Sequence, residues 1–345
     1  MTKGIYIYGI VPNFYGATQF QSLENSGVYT ISFDNISAIV SDHESDHLDY
    51  SDKESLGHLL VHHQKTIESL MEKGFAMLIP MRLGTIVSTR NEVARILSTG
   101  HELIFNTLKK IEFLSEIDLA VTWENFGDLL TEISVHPDIV ALKNEILSKS
   151  DALTQIDQVK IGMLIQQKLE EKNKAVELNI LDELSKLGVD IKIHDVMDDE
   201  MVSNAAFLIH SNKKGKFEHA IERLDEEYHG ALKFKIVGPL PCYSFYTLEV
   251  KDLNLEAVEQ AGMELGLKEV TTVPEIKKAY LENARLFHPD AQPAIAGEET
   301  FNRINKAYHT LLDYAAAARQ ASNDDIIPLS RERLAENLIL VKIKD

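Results

Sequence analysis

The chain has 345 residues, 44% of them hydrophobic and 26% charged, which is enough for two or three domains with a sizeable core. Its formal net charge of −19 argues against sequence-independent nucleic-acid binding, which needs clustered Lys and Arg, and disfavours an anionic membrane surface. Cys242 is the only cysteine, excluding an intrachain disulfide and any multi-cysteine metal or iron–sulfur site.

Met1–Gly4 leads straight into a strand-like run and lacks the form of a signal peptide. No apolar run approaches the roughly 20 residues of a spanning helix, so a cytoplasmic chain without a membrane span is expected. Residues 4–11 (GIYIYGIV) are almost wholly apolar and bounded by glycine and proline, the mark of a buried strand. Strands are also predicted over Val28–Phe33 and Ile36–Ser41, followed by a polar, acidic loop over 42–54. From Glu54 to Lys73, Leu56, Leu59, Leu60, His63, Ile67, Leu70 and Met71 recur at spacings of three and four and predict a helix that Gly74 stops. A strand over 75–80 leads into Met81-Arg82-Leu83-Gly84-Thr85, then a helix from Asn91 interrupted near Gly100, then a strand at 117–123 carrying Trp123.

Residues 137–187 read as mostly helical, a hairpin or short coiled coil ended by Gly188. Val189, Ile191 and Ile193 alternate as in a half-buried strand, 203–210 is another, a helix covers 215–229, and Leu232, Phe234 and Ile236 alternate again. The stretch 238–245 (GPLPCYSF) reads as a rigid turn into a strand reaching Val250. This order suits an antiparallel or mixed sheet with helices on one face, as in ferredoxin-like folds.

Further on, Thr272-Val273-Pro274-Glu275 fits a capping box with proline in the first turn. The helix it opens places Ile276, Ala279, Tyr280 and Phe287 on one face and ends at His288-Pro289-Asp290, since proline disfavours helix at the residue before it. A second helix shows Phe301, Ile304, Tyr308 and Leu311, so two antiparallel helices with a polar loop at their tip are expected. This segment resembles the J-domain of DnaJ-like co-chaperones. Leu265-Gly266-Leu267 matches the end of the family's first helix, Glu275–Tyr280 the start of its second, His288-Pro289-Asp290 its tip, and Phe301, Ile304, Asn305, Ala307, Tyr308 and Leu311 its third helix.

The resemblance implies a DnaK-type chaperone as partner, contacted by His288, Pro289 and Asp290, with Lys277, Lys278 and Arg285 giving electrostatic approach. That approach should be weak: Leu281 and Glu282 stand where basic residues are common, Ala291 replaces a lysine, and residues 269–320 hold six basic and seven acidic side chains. A second tripeptide, His136-Pro137-Asp138, lacks the flanking patterns and reads as the start of a helix, with proline in its first turn and an acid near the dipole.

Five separated features of residues 1–250 resemble the gas vesicle protein L/F family: Ile5–Ile10, His62-His63, Pro80–Thr85, Asn204–Leu208 and Gly238–Phe245. Cys242, Leu240 and Leu83 depart from residues common there. The resemblance implies structural roles for Arg82, Gly84, Thr85, Gly238, Pro239, Tyr243 and Phe245, and an accessory role near the vesicle shell, contacting the shell protein and other vesicle proteins. Read without it, Arg82 at a strand end fits pairing with a carboxylate. His58 and His62, four apart on a helix, lack a third ligand, so no metal and no cofactor is expected. No phosphate-cradling glycine loop and no nucleophile elbow occurs.

The expected fold is α+β. Two ferredoxin-like units are joined by a helical or coiled-coil segment and followed by an all-α J-domain, with divisions at 1–135, 136–188, 189–252, 253–320 and a tail at 321–345 whose apolar run LILVKI pairs with the second unit. The expected function is a gas vesicle assembly factor that binds shell protein and recruits a chaperone, not an enzyme. The alternatives are a client-specific co-chaperone unrelated to vesicles, and an enzyme with an appended J-domain, which needs a pocket converging on Arg82 and His62 or His63.

Overall fold

The structure, a computed structural model, describes residues 3–14, 27–45, 53–149, 154–287, 295–322, 326–329 and 339–344. The chain divides into two compact units, Met1–Lys109 with Tyr246–Asp345, and Lys110–Phe245.

The first unit opens with a sheet of β1 (Gly4–Pro12), β2 (Val28–Phe33), β3 (Ile36–His43) and β4 (Ile79–Pro80) in the order β2-β3-β1-β4, with β5 (Ile86–Val87) also pairing β1. Every residue of β1 is buried, as its unbroken apolar run requires of a central strand. Helix α1 (Lys53–Glu72) turns His63, Ile67 and Leu70 inward. Helix α2 (Arg90–Thr99) begins at Thr89, whose hydroxyl accepts the Glu92 N–H while the Glu92 carboxylate accepts the Ser88 N–H. Gly100 separates α2 from α3 (His101–Ile111).

The second unit is built around β6 (Leu114–Trp123), followed by α4 (Phe126–Ser134), α5 (Pro137–Lys149), α6 (Gln155–Ser185), β7 (Gly188–Ile193), β8 (Met201–His210), α7 (Lys214–Glu227) and β9 (Leu232–Leu240). The sheet order is β7-β8-β6-β9 and every pairing is antiparallel. In both sheets the strands, counted in chain order, lie second, third, first, fourth, which is the ferredoxin-like arrangement, and the fold class is α+β as expected. Along β6, Ile117, Leu119, Val121 and Trp123 point into one core with Phe207, Phe217, Leu224 and the inner face of α6.

Two expectations change here. The strand at 117–123 is not part of the first sheet: it forms the centre of the second, so an N-terminal domain ending at 135 would cut that sheet apart. The helical segment at 137–187, expected as a hairpin or short coiled coil joining the units, belongs to the second unit instead. Ile161, Leu169, Val176, Ile180 and Leu184 of α6 share the sheet's core, because a face of that width is buried by a sheet more completely than by a second helix.

After a helical turn at Tyr243–Tyr246, the first unit resumes with β10 (Leu248–Asp252), α8 (Leu255–Glu264), β11 (Val270–Thr271), α9 (Val273–Phe287), α10 (Ile295–Ser322), β12 (Ile327–Pro328) and β13 (Ile339–Ile343). Ile276, Ile304, Ala307, Leu311 and Tyr314 centre a core that also takes in Val258, Leu265, Leu329 and Leu340. The terminal strand pairs antiparallel with β10, Leu248 opposite Ile343 and Asp252 opposite Ile339, and this last strand of the expected 189–252 division belongs to the first unit. Its place is tight: a Cβ on Gly100 would lie 2.6 Å from Val341 Cγ1, so glycine is what admits the strand. The Gln320 amide bonds Val341 through both its backbone groups, at 2.6 and 3.2 Å. The three helices α8, α9 and α10 therefore lie between two strands of one ladder. Among the described residues no helix is long and apolar enough to cross a membrane.

Candidate functional site

Helix α9 starts as its sequence dictates: the Glu275 carboxylate accepts the Thr272 N–H at 2.9 Å and the Thr272 hydroxyl at 3.0 Å. It is fixed to α10 by Tyr280, whose ring stacks on Tyr308 at 4.1 Å and whose hydroxyl donates to Asn305 Oδ1 at 2.6 Å. Ile276, fully buried, anchors the same face. Lys277, Lys278 and Arg285 are exposed on the helix. Leu281 is 54% exposed and Leu286 63% exposed, so this outer surface is part basic and part apolar. His288, Pro289 and Asp290 lie outside the described residues, between the end of α9 and the start of α10. The other tripeptide sits at a helix start. The carbonyl of His136 accepts the Ile139 N–H, Pro137 opens α5, and Lys168 pairs with Asp138 at 3.1 Å, holding that carboxyl below its ordinary value.

In the first unit, the Arg82–Thr85 segment turns beside β1. The Arg82 N–H donates to the Leu248 carbonyl, and its guanidinium pairs with Glu249, which is largely buried. Gly84, at φ 84°, turns the chain so that its N–H donates to the Tyr6 hydroxyl at 3.2 Å, and the Thr85 hydroxyl donates to the Arg82 carbonyl at 2.7 Å. Tyr6 in turn lies 2.8 Å from His63 Nδ1, and Tyr8 3.0 Å from His62 Nε2. Burial first, and the neighbouring His62 second, push the His63 imidazole down to about 4, so at neutral pH it is uncharged.

A depressed histidine contributes stability above its unfolded value of 6.5 that is lost as pH falls through about 4, on the order of 3 kcal/mol at most. Wild-type protein is therefore expected to lose more stability between pH 7 and pH 4 than His63→Phe, measured by urea unfolding at both. Equal losses would assign the acid sensitivity elsewhere.

In the second unit, Gly238 has φ 148°, and a Cβ there would lie 2.9 Å from the Glu116 carbonyl, so no other residue fits. The Gly238–Pro239 peptide is cis. Beyond it, Tyr243 begins the helical turn and Phe245 is buried. The turn aims the Ser244 N–H and hydroxyl at the Glu116 carboxylate, both at 2.8 Å. Burial raises Glu116 to about 7 against the pull of these two donors, with Asp118 on the same face adding to the rise. Burial also pushes the Cys242 thiol up to about 12, which leaves it inert as a nucleophile.

The sequence thus groups Arg82, Gly84 and Thr85 in one turn, and sets Gly238 and Pro239 at the end of β9 with Tyr243 and Phe245 in the helical turn after it. It did not reveal Glu249 or Glu116 as their partners. Two acids, Glu116 and Asp118, on one face of a strand whose other face is apolar were the available signal for the second. A cleft of about 460 Å³ beside Arg82 is lined by the 82–88 segment, α2, β10 and Ile339, and neither His62 nor His63 reaches it. Among the described residues no group of three metal-ligating side chains converges.

The family model described as gas vesicle synthesis protein GvpL/GvpF matches residues 4–247, and the DnaJ domain model matches residues 264–320. Gas vesicle protein F of Microcystis aeruginosa (strain PCC 7806) is 25% identical over 251 residues, covering 72% of this chain and 100% of that protein. Chaperone protein DnaJ 1 of Aquifex aeolicus (strain VF5) is 43% identical over 58 residues, 17% of this chain and 16% of that protein. The crystal structure of the gas vesicle protein GvpF from Anabaena sp. PCC7120 aligns with a TM-score of 0.56 at 24% identity, covering 70% of this chain and 95% of that one. With the model spanning both turns and both sheets, the chain belongs to the GvpL/GvpF family and carries a DnaJ domain behind the family body.

Proposed function

We propose that the chain binds the gas vesicle shell protein through its family body and recruits a DnaK-type chaperone to it through the J-domain. The observation that carries this reading is the presence of both family matches on one chain, residues 4–247 and 264–320. Joining a client-binding body to a recruiting module makes the second encounter intramolecular and raises the local concentration of chaperone at the client. His288 and Asp290, stiffened by Pro289, make the triggering contact, and Lys277, Lys278 and Arg285 orient the approach. The role is one of binding and delivery, without a cofactor or a catalytic step of its own, at the vesicle in the cytoplasm and beside other vesicle accessory proteins.

The test uses the full chain, because a cut at residue 250 would split β10 and strand its partner β13. Immobilised chain is expected to retain purified shell protein, and His288→Gln is expected to retain as much. No retention by wild type would remove the shell protein as client, leaving a co-chaperone for another substrate. Loss in the His288 variant alone would move recognition into the J-domain.

A further inference from the structure

Strand β9 is the outer strand of the second sheet, paired with β6 along one edge, and its other edge carries no strand among the described residues. Lys233 and residues 235–239 are exposed, so that edge is open to solvent. The register sets what each face offers. Phe234 and Ile236 lie opposite Val121 and Leu119, whose side chains join the core shared with α7, and so they face the helix layer. Helix α7 covers them only in part: Phe234 is half-buried and Ile236 is 39% exposed. A groove of about 670 Å³ remains between α7 and β9.

Its charge is one-sided. Glu218, Glu222 and Asp225 recur at spacings of four and three along α7, and Glu124 joins them, against one ammonium, Lys233. Lys214 comes within 3.6 Å of Glu218 and His219 within 2.8 Å of Glu222, but these are contacts between exposed side chains that water screens. An open edge recruits an extended segment through its backbone N–H and C=O groups, and the flanking surface selects alternate side chains of that segment. Side chains turned to the groove would meet Phe234, Ile236 and the acidic row, which asks for aliphatic and basic groups. A second copy of the chain fits badly. Two β9 edges paired about a two-fold axis would set Lys233 and Lys235 against lysines and bring the two acidic helices together. The free stretch, Lys233–Val237, amounts to about 17 Å of strand.

We infer that the α7–β9 groove receives an extended, basic and aliphatic segment of the client polypeptide as a fifth strand on β9, its basic side chains along Glu218, Glu222 and Asp225. The inference rests on the reading of the family body as the client-binding part and gives that binding a seat.

The test titrates full-length protein with the capped peptide Thr-Lys-Thr-Val-Thr-Lys-Thr and follows the β9 amide resonances and their hydrogen exchange. Saturable shifts over Phe234–Val237 are expected, with slowed exchange there. Glutamate in place of both peptide lysines, or Glu222→Lys with Asp225→Lys in the protein, should each weaken binding at least about tenfold. Glu170→Lys, exposed on α6 and outside the groove, should not. Two further peptides carry N-methyl groups on either the odd or the even residues. Alternate N–H groups of a strand share an edge, so one of these peptides should bind and the other should not. The inference is overturned if both methylated peptides bind alike, if the unmodified peptide leaves β9 unshifted in the wild-type chain, or if the glutamate peptide binds equally well. Immobilised chain then ties the groove to the client. Purified shell protein retained by wild type and lost by the Glu222→Lys, Asp225→Lys chain supports the seat. Undiminished retention by that variant overturns it and leaves the body as client binder, whereas no retention by wild type overturns both.

Discussion

Removing residues 339–345 is expected to destabilise the first unit by more than about 5 kcal/mol, comparable to the whole stability of a typical domain. Ile339, Leu340 and Val341 are buried to within 3% of their surface, and fully burying one such side chain is worth about 1.5–3 kcal/mol. Other losses come with them. The Gln320 amide would lose both Val341 partners, Lys342 would leave Asp313, and β10 would become an exposed edge. Helix α10 would also give up the Leu340 contact in the core that Tyr314 and Leu311 complete. The truncated chain should aggregate on expression or melt far below the intact one. A truncated protein that stays soluble and melts with wild type would show that β13 contributes nothing, and that the J-domain is held by its own core alone.

The second large effect is functional. His288→Gln is expected to abolish stimulation of ATP turnover by a DnaK-type chaperone while shifting stability by no more than about 0.5 kcal/mol, the usual range for surface substitutions. His288-Pro289-Asp290 matches the family's tip in sequence, where residue identity is expected to be set by what the tip touches and not by packing. His136→Gln is the matched control, since its tripeptide starts α5 and its acid is occupied by Lys168. It should stimulate fully. Because Leu281 and Leu286 are exposed on α9 along with its basic residues, the stimulation should also fall less steeply with salt than a purely charged interface would. A His288 variant that stimulates like wild type would leave the J-like helices as a docking piece without a co-chaperone role.

What could be read beforehand was whatever a local pattern encodes. The apolar run at 4–11 is a fully buried strand, the three-and-four spacing at 54–73 is α1, and Ile276, Tyr280, Ile304 and Leu311 form the core that their periodicity marks. The α+β class and the family likeness followed from these and from motifs short enough to sit within one turn. Partner choice was not legible. The alternation Ile117, Leu119, Val121 says that one face of β6 is buried, but a split crossover puts this central strand ahead of three helices and both of its neighbours. Local sequence carries no mark of that. Arg82 and Glu249 are likewise 167 positions apart, and an exposed-looking acid in β10 gave no hint of the pairing. The terminal strand was recognisable by its hydrophobicity, yet its seat depends on the missing side chain of Gly100, which reads locally as a mere helix break.

The central claim is that client binding and chaperone recruitment are joined on this chain. It is tested most directly by steady-state ATP turnover of a DnaK-type chaperone in the presence of purified shell protein, with and without the full-length protein. Chain and shell protein together are expected to stimulate turnover beyond the sum of their separate effects, because the body holds the client where the J-domain delivers the chaperone. His288→Gln should erase that excess while still binding the shell protein. Stimulation that is merely additive, or that persists undiminished in the His288 variant, would contradict it.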